Sequence, residues 1–377
     1  MDDYLVEISK TYGLVFRLCF WNQVAVFVLD PECIKDVLVT GNHQKSKRFY
    51  SRLTSVFGTR FIGQGLETQL DSKHWIMQRI HFDQWFKPSY IRQFASEFNV
   101  FADSYTKYLE TSADGKTEIH LLHSFNKLTM HLLYKVAFSV DMGPLHGKNH
   151  PFVTKMKTAM SGFSALLANP LVDPFKWGFR REVRGAINFI RGSAKQMMID
   201  RKVAMHLDQW FMSKLQREID ENVGAVSGIS LNEIEKLSYL DMVLKETLRL
   251  YPVGKATFRG TIRDYNLGGH LIPAGTDMMV SFYATSRAGQ NIRDPTKFSP
   301  ERFHIDSSDK FSKYASTPFS AGPHTCIGKK FTEIQIKITI SKIMQNFDFE
   351  LVPGQTCDLA DNATLQAKDG VKCFFLF

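Results

Sequence analysis

The sequence predicts a mainly α-helical chain with small β-sheets, an α+β fold. Three observations predict it. Apolar residues recur at helical spacing through 91–192, 231–251 and 327–342. Short β-rich runs bounded by turn residues lie near 14–29 and 258–283. Capping signals stand where helices should begin, at Asp30-Pro31 and at Ser230-Leu-Asn-Glu233.

Taken in order, residues 4–12 read as a short helix ending at Gly13. Leu14–Phe20 and Val24–Leu29 read as a hairpin turning at Trp21-Asn22-Gln23. An acidic cap and a proline then open a helix expected to reach Val39. The stretch Gly41–Gln69 mixes Lys45, Lys47 and Arg48 with aromatics and glycines, which fits a surface loop or a substrate-lining segment equally well. Breaks are expected at Asp114-Gly115, Gly143-Pro144, Asn169-Pro170 and Asp173-Pro174. Arg180, Arg181, Arg184 and Arg191 form a basic stripe, read as a solvated face, and Phe163–Leu167 reads as core packing. Phe258–Ile262, Leu271–Ile272 and Met278–Tyr283 read as strands, and Ala274-Gly-Thr-Asp277 after Pro273 reads as a turn.

The chain has 377 residues, 44% hydrophobic and 23% charged, a mix that builds a core and excludes disorder. No repeat, low-complexity tract or linker divides it, so a single domain over 1–377 is expected. Five scattered cysteines give neither a disulfide framework nor a zinc pattern. The net charge of +9 suits an acidic partner or lipid surface. No basic, aromatic-interleaved recognition segment accompanies it, so nucleic acid is not expected. No run of 18 apolar residues and no cleavable leader is read, which leaves a soluble or peripheral chain as given.

Three constellations carry chemistry. In Phe319-Ser-Ala-Gly322-Pro-His324-Thr-Cys326-Ile-Gly328, one cysteine sits in a glycine-punctuated loop directly before a helix. Gly322 and Gly328 allow a close backbone approach to a flat cofactor, and Phe319 would shield the sulfur. Trp75 and Arg79 share a helical face and could hold a carboxylate with an indole N–H and a guanidinium. Glu246 and Arg249, three apart, can be joined by Arg302 of Pro300-Glu-Arg-Phe303 into one carboxylate facing two guanidiniums.

Glu-x-x-Arg, Pro-Glu-Arg-Phe and Phe-x-x-Gly-x-x-x-Cys-x-Gly, in this order, resemble the cytochrome P450 haem-thiolate monooxygenases. Within that family the likeness is to the cholesterol 24-hydroxylase group, carried by 55–66, 244–252 and 351–355. The resemblance implies a P450 fold and Cys326 as axial ligand of the haem iron. It implies that Trp75, Arg79, Arg259 and His324 hold the haem propionates, and that Glu246, Arg249 and Arg302 fix the fold around the cysteine loop. His324 stands where many relatives carry arginine. The resemblance further implies a lipophilic substrate such as a sterol, and NADPH used indirectly through NADPH–cytochrome P450 reductase. Endoplasmic-reticulum localisation and peripheral membrane contact are also implied. Lys329, Lys330, Lys337 and Lys342 would form the basic surface that receives the reductase, or a merely solvated face.

One expected part is missing. The family's distal helix carries Ala/Gly-Gly-x-Asp/Glu-Thr, whose acid and hydroxyl relay protons, and no such pattern precedes Glu246. Residues 201–206 resemble the end of the preceding helix and residues 207–221 resemble the following one, as if joined near 206–207. The membrane anchor of microsomal relatives is also not found. The expected fold is therefore incomplete, with no catalytic acid–threonine pair. The alternative function is an inactive truncated or splice form that retains at most haem binding.

Overall fold

The structure is a computed structural model that describes residues 2–20, 23–41, 43–138, 151–168, 177–194, 209–224, 228–355, 359–362, 364–367 and 370–376. Helices dominate it and the sheets are small, as the patterning predicts. The junction at 206–207, the turn residues Trp21-Asn22 and the breaks at 143–144, 169–170 and 173–174 lie outside the described residues. Two compact units emerge, one from 1–83 with 242–329, the other from 84–241 with 330–377.

The first unit is built on a five-stranded sheet. Val15–Phe20 pairs antiparallel with Gln23–Val28, which runs parallel to Asp277–Ser281. Ala256–Gly260 follows, and the short strand Gln44–Lys45 closes the edge. Alternation along these strands places Phe16, Phe27 and Met279 against Leu5 of the helix Asp2–Tyr12. Val26, Val28, Met278 and Val280 face the other way, onto Ile34, Val37 and Leu38. The turn 274–277 forms as read, with Gly275 in the left-handed region and Gly275 N–H donating to Thr261 O at 2.7 Å.

Three elements differ from what their sequence pattern predicts. Asp30 caps Pro31–Lys35 by accepting from Cys33 N–H at 2.8 Å, but the α-helix does not continue to Val39. Asp36–Thr40 widens into a π-helical turn, closed by Gly41 N–H to Asp36 O at 2.7 Å. The strand read through Tyr283 stops at Ser281, because the Ser281 hydroxyl accepts from Ala284 N–H and caps the short helix Phe282–Thr285. The segment 41–69 is more than a loop: Ser46 caps the helix Lys47–Thr54, and Ser55–Val56 pairs with Thr59–Arg60.

The second unit packs Tyr105, Leu109, Leu128, Ile343, Phe347 and Phe375 into its own core. The helices Pro151–Ala168 and Trp177–Ala194 meet closely, with Ala159, Phe163, Val183 and Ile187 buried. Arg181 and Arg184 remain on the exposed side, as their stripe predicts. Ser230 and Glu233 form the expected reciprocal cap. Glu218 of the helix Gln209–Asn222 accepts from Tyr239 and Leu240 N–H and from the Ser238 hydroxyl, capping the helix Ser238–Leu250. Lys337 and Lys342 do not lie on a solvated basic face. Lys337 pairs with Asp241 at 2.7 Å, Lys342 pairs with Asp103, and both lysines are buried. Lys329 and Lys330 are exposed.

Candidate functional site

Every residue singled out around the cysteine falls in the first unit. The loop 319–326 is knitted by its own backbone. Cys326 N–H donates to Phe319 O at 2.8 Å, Thr325 N–H to Gly322 O at 3.0 Å, and the Thr325 hydroxyl to Phe319 O at 3.3 Å. Ser320 and Gly322 both adopt the left-handed region, a conformation that costs a serine and is free to glycine. A Cβ on Gly322 would overlap the Leu38 carbonyl oxygen and come within 3.2 Å of Val39 Cα. The space a side chain at this position would need is thus taken by the π-turn of this chain.

The helix Ser72–Asp83 places Trp75 and Arg79 on one side, as their i, i+4 spacing requires. Trp75 is buried, its indole N–H donating to Leu66 O at 3.2 Å, and its ring packs 4.0 Å from the His324 ring. Arg79 reaches the cysteine loop directly, with Nη1 to Thr325 O at 2.7 Å and Nε to Asp83 at 2.7 Å. Arg259 lies on the strand Ala256–Gly260 and is almost wholly buried. Its Nη1 donates to Thr257 Oγ1 at 2.8 Å and to Phe258 O at 3.0 Å, while Nε is buried with no hydrogen-bond partner.

Sequence reading missed one member. The edge strand puts Lys45 directly opposite Arg259 in register, like charge against like. Lys45 donates to the carbonyls of Leu66 and Glu67. Burial lowers its ammonium to about 8, with Arg259 and Arg79 pushing the same way and Glu67 opposing. Its signal was the pattern of a lysine among aromatics, but only strand pairing connects it to a residue 214 positions away.

The same charges act on His324. Burial, then Arg259, Lys45 and Arg79, push its imidazole down to about 3, so it is neutral at neutral pH. Its Nδ1 is buried with no hydrogen-bond partner. In this cradle two buried polar nitrogens without hydrogen-bond partners lie amid three cations; Arg79 is paired with Asp83, and Glu67 attracts Lys45 and Arg259. Unpaired buried charge costs several kcal/mol unless a counter-charge arrives, on the order of 3–5 kcal/mol where a pair has been broken.

Glu246, Arg249 and Arg302 come together as their motifs predict, and all three are buried. Both Glu246 oxygens accept from Arg249, at 2.7 and 2.8 Å. Arg302 Nε and Ser299 N–H join at 3.1 and 2.8 Å. The surplus guanidinium charge meets carbonyls: Arg249 donates to Ser286, Pro295 and Lys297, and Arg302 to Arg293, Asp294 and Lys297.

A family model described as Cytochrome P450 matches residues 1–210 and 203–373. The chain belongs to the cytochrome P450 family. Among its relatives, Cytochrome P450 3A6 of Oryctolagus cuniculus is 25% identical over 416 residues, covering 93% of this chain and 82% of that protein. Cytochrome P450 3A1 of Rattus norvegicus is 25% identical, covering 92% and 81%. Cytochrome P450 4d2 of Drosophila melanogaster is 24% identical, covering 98% and 87%. P450 proteins are haem-dependent monooxygenases that use NADPH-derived electrons delivered by a reductase. Microsomal homologues are endoplasmic-reticulum membrane proteins. No described helix of this chain is long and apolar enough to cross a membrane.

The donor set fits a dianionic haem. Cys326 carries a sulfur that could ligate iron, and Lys45, Arg79, Arg259 and His324 carry nitrogens that could meet carboxylates, while the Trp75 N–H is taken by Leu66 O.

Proposed function

We propose that this chain is a haem-dependent monooxygenase of lipophilic substrates, with Cys326 as the axial thiolate. The reading rests above all on the unsatisfied cradle, since a buried Arg259 Nε and His324 Nδ1 beside two further cations call for paired carboxylates. Arg259, Lys45 and Arg79 would take the two propionates, and neutral His324 would donate one hydrogen bond. Trp75, whose N–H is engaged by Leu66, would pack rather than bind charge. Phe319 would keep water from the sulfur, and Gly322 and Gly328 would complete the loop. Glu246, Arg249 and Arg302 would hold the wall behind it. Thiolate-ligated haem, when bound, supplies the O–O bond-splitting chemistry of the family.

A sterol such as cholesterol is the proposed substrate class, supported by the likeness of 55–66, 244–252 and 351–355 to the cholesterol 24-hydroxylase group. The reductase would dock by way of Lys329 and Lys330, which are exposed. The deciding experiment reconstitutes the chain with haem and records the reduced carbon monoxide spectrum. The thiolate–CO band should appear, then vanish in Cys326→Ala while haem is retained. An unchanged spectrum in that variant would sink the assignment.

A second reading, an inactive truncated or splice form, draws on two features of the comparisons without being favoured by them. The family model matches in two pieces overlapping at 203–210, and the alignment with P450 3A6 is longer than the chain itself. Loss of the distal helix near 206–207 from a single P450-like domain accounts for both. Such a chain would keep a haem cradle and lack the acid–threonine relay. Hydroxylation sustained by reductase and NADPH would rule that reading out.

A further inference from the structure

The π-turn behind the cysteine loop is held open by side chains that neither the haem cradle nor the Glu246 cluster uses. A π-turn inserts one residue into a helix and is common beside functional sites. Here the turn Asp36–Thr40 brings the Leu38 carbonyl and Val39 Cα against Gly322, four residues before Cys326. Leu38, with Ile34 and Val37, is buried in the cluster that also packs Ala321 and Tyr265. A single carboxylate oxygen fixes the turn: Asp36 Oδ1 accepts from the Tyr265 hydroxyl and from the Thr40 hydroxyl, each at 2.7 Å. The His43 and Tyr265 rings stand near-perpendicular, with their centroids 4.4 Å apart. Burial and the neighbouring Asp36 push Tyr265 up to about 12, so its hydroxyl remains a donor.

The geometry points to Asp36 and Tyr265 as a positioning pair that sets the height of the cysteine loop through the Leu38 carbonyl. The strand pair Tyr265–Leu267 and His270–Ile272 supplies the tyrosine from outside the helix. The hydrogen bond is therefore a brace between two elements that the loop itself does not contain. Gly322 is required because the brace brings backbone to backbone, where any Cβ would collide. Removing the tyrosine hydroxyl lets the turn relax toward ordinary α-helix, withdraws the Leu38 carbonyl and frees Cys326 to move.

The effect can be read without haem. Alkylation by iodoacetamide, located by peptide mass spectrometry, is followed for Cys326 and for Cys33, which is buried one helical turn before the π-turn. Tyr265→Phe should raise the Cys326 rate roughly tenfold or more, the ratio that one lost charge-assisted hydrogen bond corresponds to. Cys33 should stay protected. Asp36→Ala should repeat the effect, and Asp36→Asn, whose amide oxygen still accepts but without the charge, should give a smaller rise than Asp36→Ala. Tyr283→Phe, which removes a hydroxyl bound to Asp3 elsewhere in the same unit, serves as the control and should leave Cys326 unchanged. An unchanged Cys326 rate in Tyr265→Phe, or a parallel rise at Cys33, overturns the proposal, the second because it means local unfolding. The haem arm rests on the proposed function. There Tyr265→Phe should keep its haem while part of the reduced carbon monoxide spectrum leaves the thiolate band, and a wholly retained band overturns the proposal. A parent chain that takes up no haem refutes the functional reading, and the alkylation arm still decides the brace.

Discussion

Two buried arginine clusters in the first unit look alike in composition and differ in their hydrogen bonds. Around Glu246, the carboxylate oxygens and five backbone carbonyls accept from Arg249 and Arg302. Around His324, Arg259 and Lys45 face each other in strand register, and Arg259 Nε and His324 Nδ1 have no partner. The first cluster is complete within the chain. The second is arranged to receive negative charge, and the contrast separates a structural ion cluster from a binding one better than burial or residue type does.

The largest effect should come from breaking the complete cluster. Glu246→Gln leaves two buried guanidiniums without a carboxylate and should cost about 3–5 kcal/mol, a large share of the roughly 5–15 kcal/mol of a typical domain. Chemical denaturation measures it, and a cost below about 1 kcal/mol would erase the distinction between the clusters. In the incomplete cluster the sign should reverse. Arg259→Met should leave the haem-free chain as stable or more so by thermal melting, because a buried charge whose Nε has no hydrogen-bond partner is removed. The same variant should bind haem about 10- to 150-fold more weakly, the range for a lost charge-assisted hydrogen bond of roughly 1.5–3 kcal/mol. If it melts lower and binds haem normally, Arg259 belongs with the structural cluster. Lys45→Met should repeat the pattern, weakening haem about tenfold in a titration, since its ammonium already has two carbonyl partners.

The smallest effect, taken per pH unit, is a pH dependence. Folded His324 titrates near 3 and the unfolded residue near 6.5, so between those values only the unfolded chain takes up the proton. Its contribution is full above 6.5 and is lost as pH falls toward 3, on the order of 1 kcal/mol per pH unit. His324→Phe should flatten that slope in the haem-free chain. Bound propionates would raise the imidazole and flatten it as well. A parent chain with no slope there would mean that His324 is not held neutral.

How much of this was legible in the sequence follows the range of the forces involved. Glu246 and Arg249 were readable because three-residue spacing fixes their shared face, and Trp75 with Arg79 for the same reason. Asp30 and Ser230 announced their caps through neighbours within three residues. The π-turn at Asp36 was not readable, because Tyr265, which stabilises it, lies far along the chain. Lys45 was seen without its role for the same reason, since Arg259 reaches it only across the sheet. Lys337 and Lys342 were read as a surface because helical periodicity gives no sign of Asp241 or Asp103 opposite them.

That inward turn of Lys337 and Lys342 has a consequence for chemical mapping. An amine-reactive cross-linker or acylating reagent would find Lys329 and Lys330 and pass over the two deeper lysines. A footprint of any acidic partner on the helix Lys329–Asn346 is therefore confined to its first two residues. Modification at Lys337 or Lys342 would report that the second unit has opened, which makes those amines a sensor of folding rather than a docking surface.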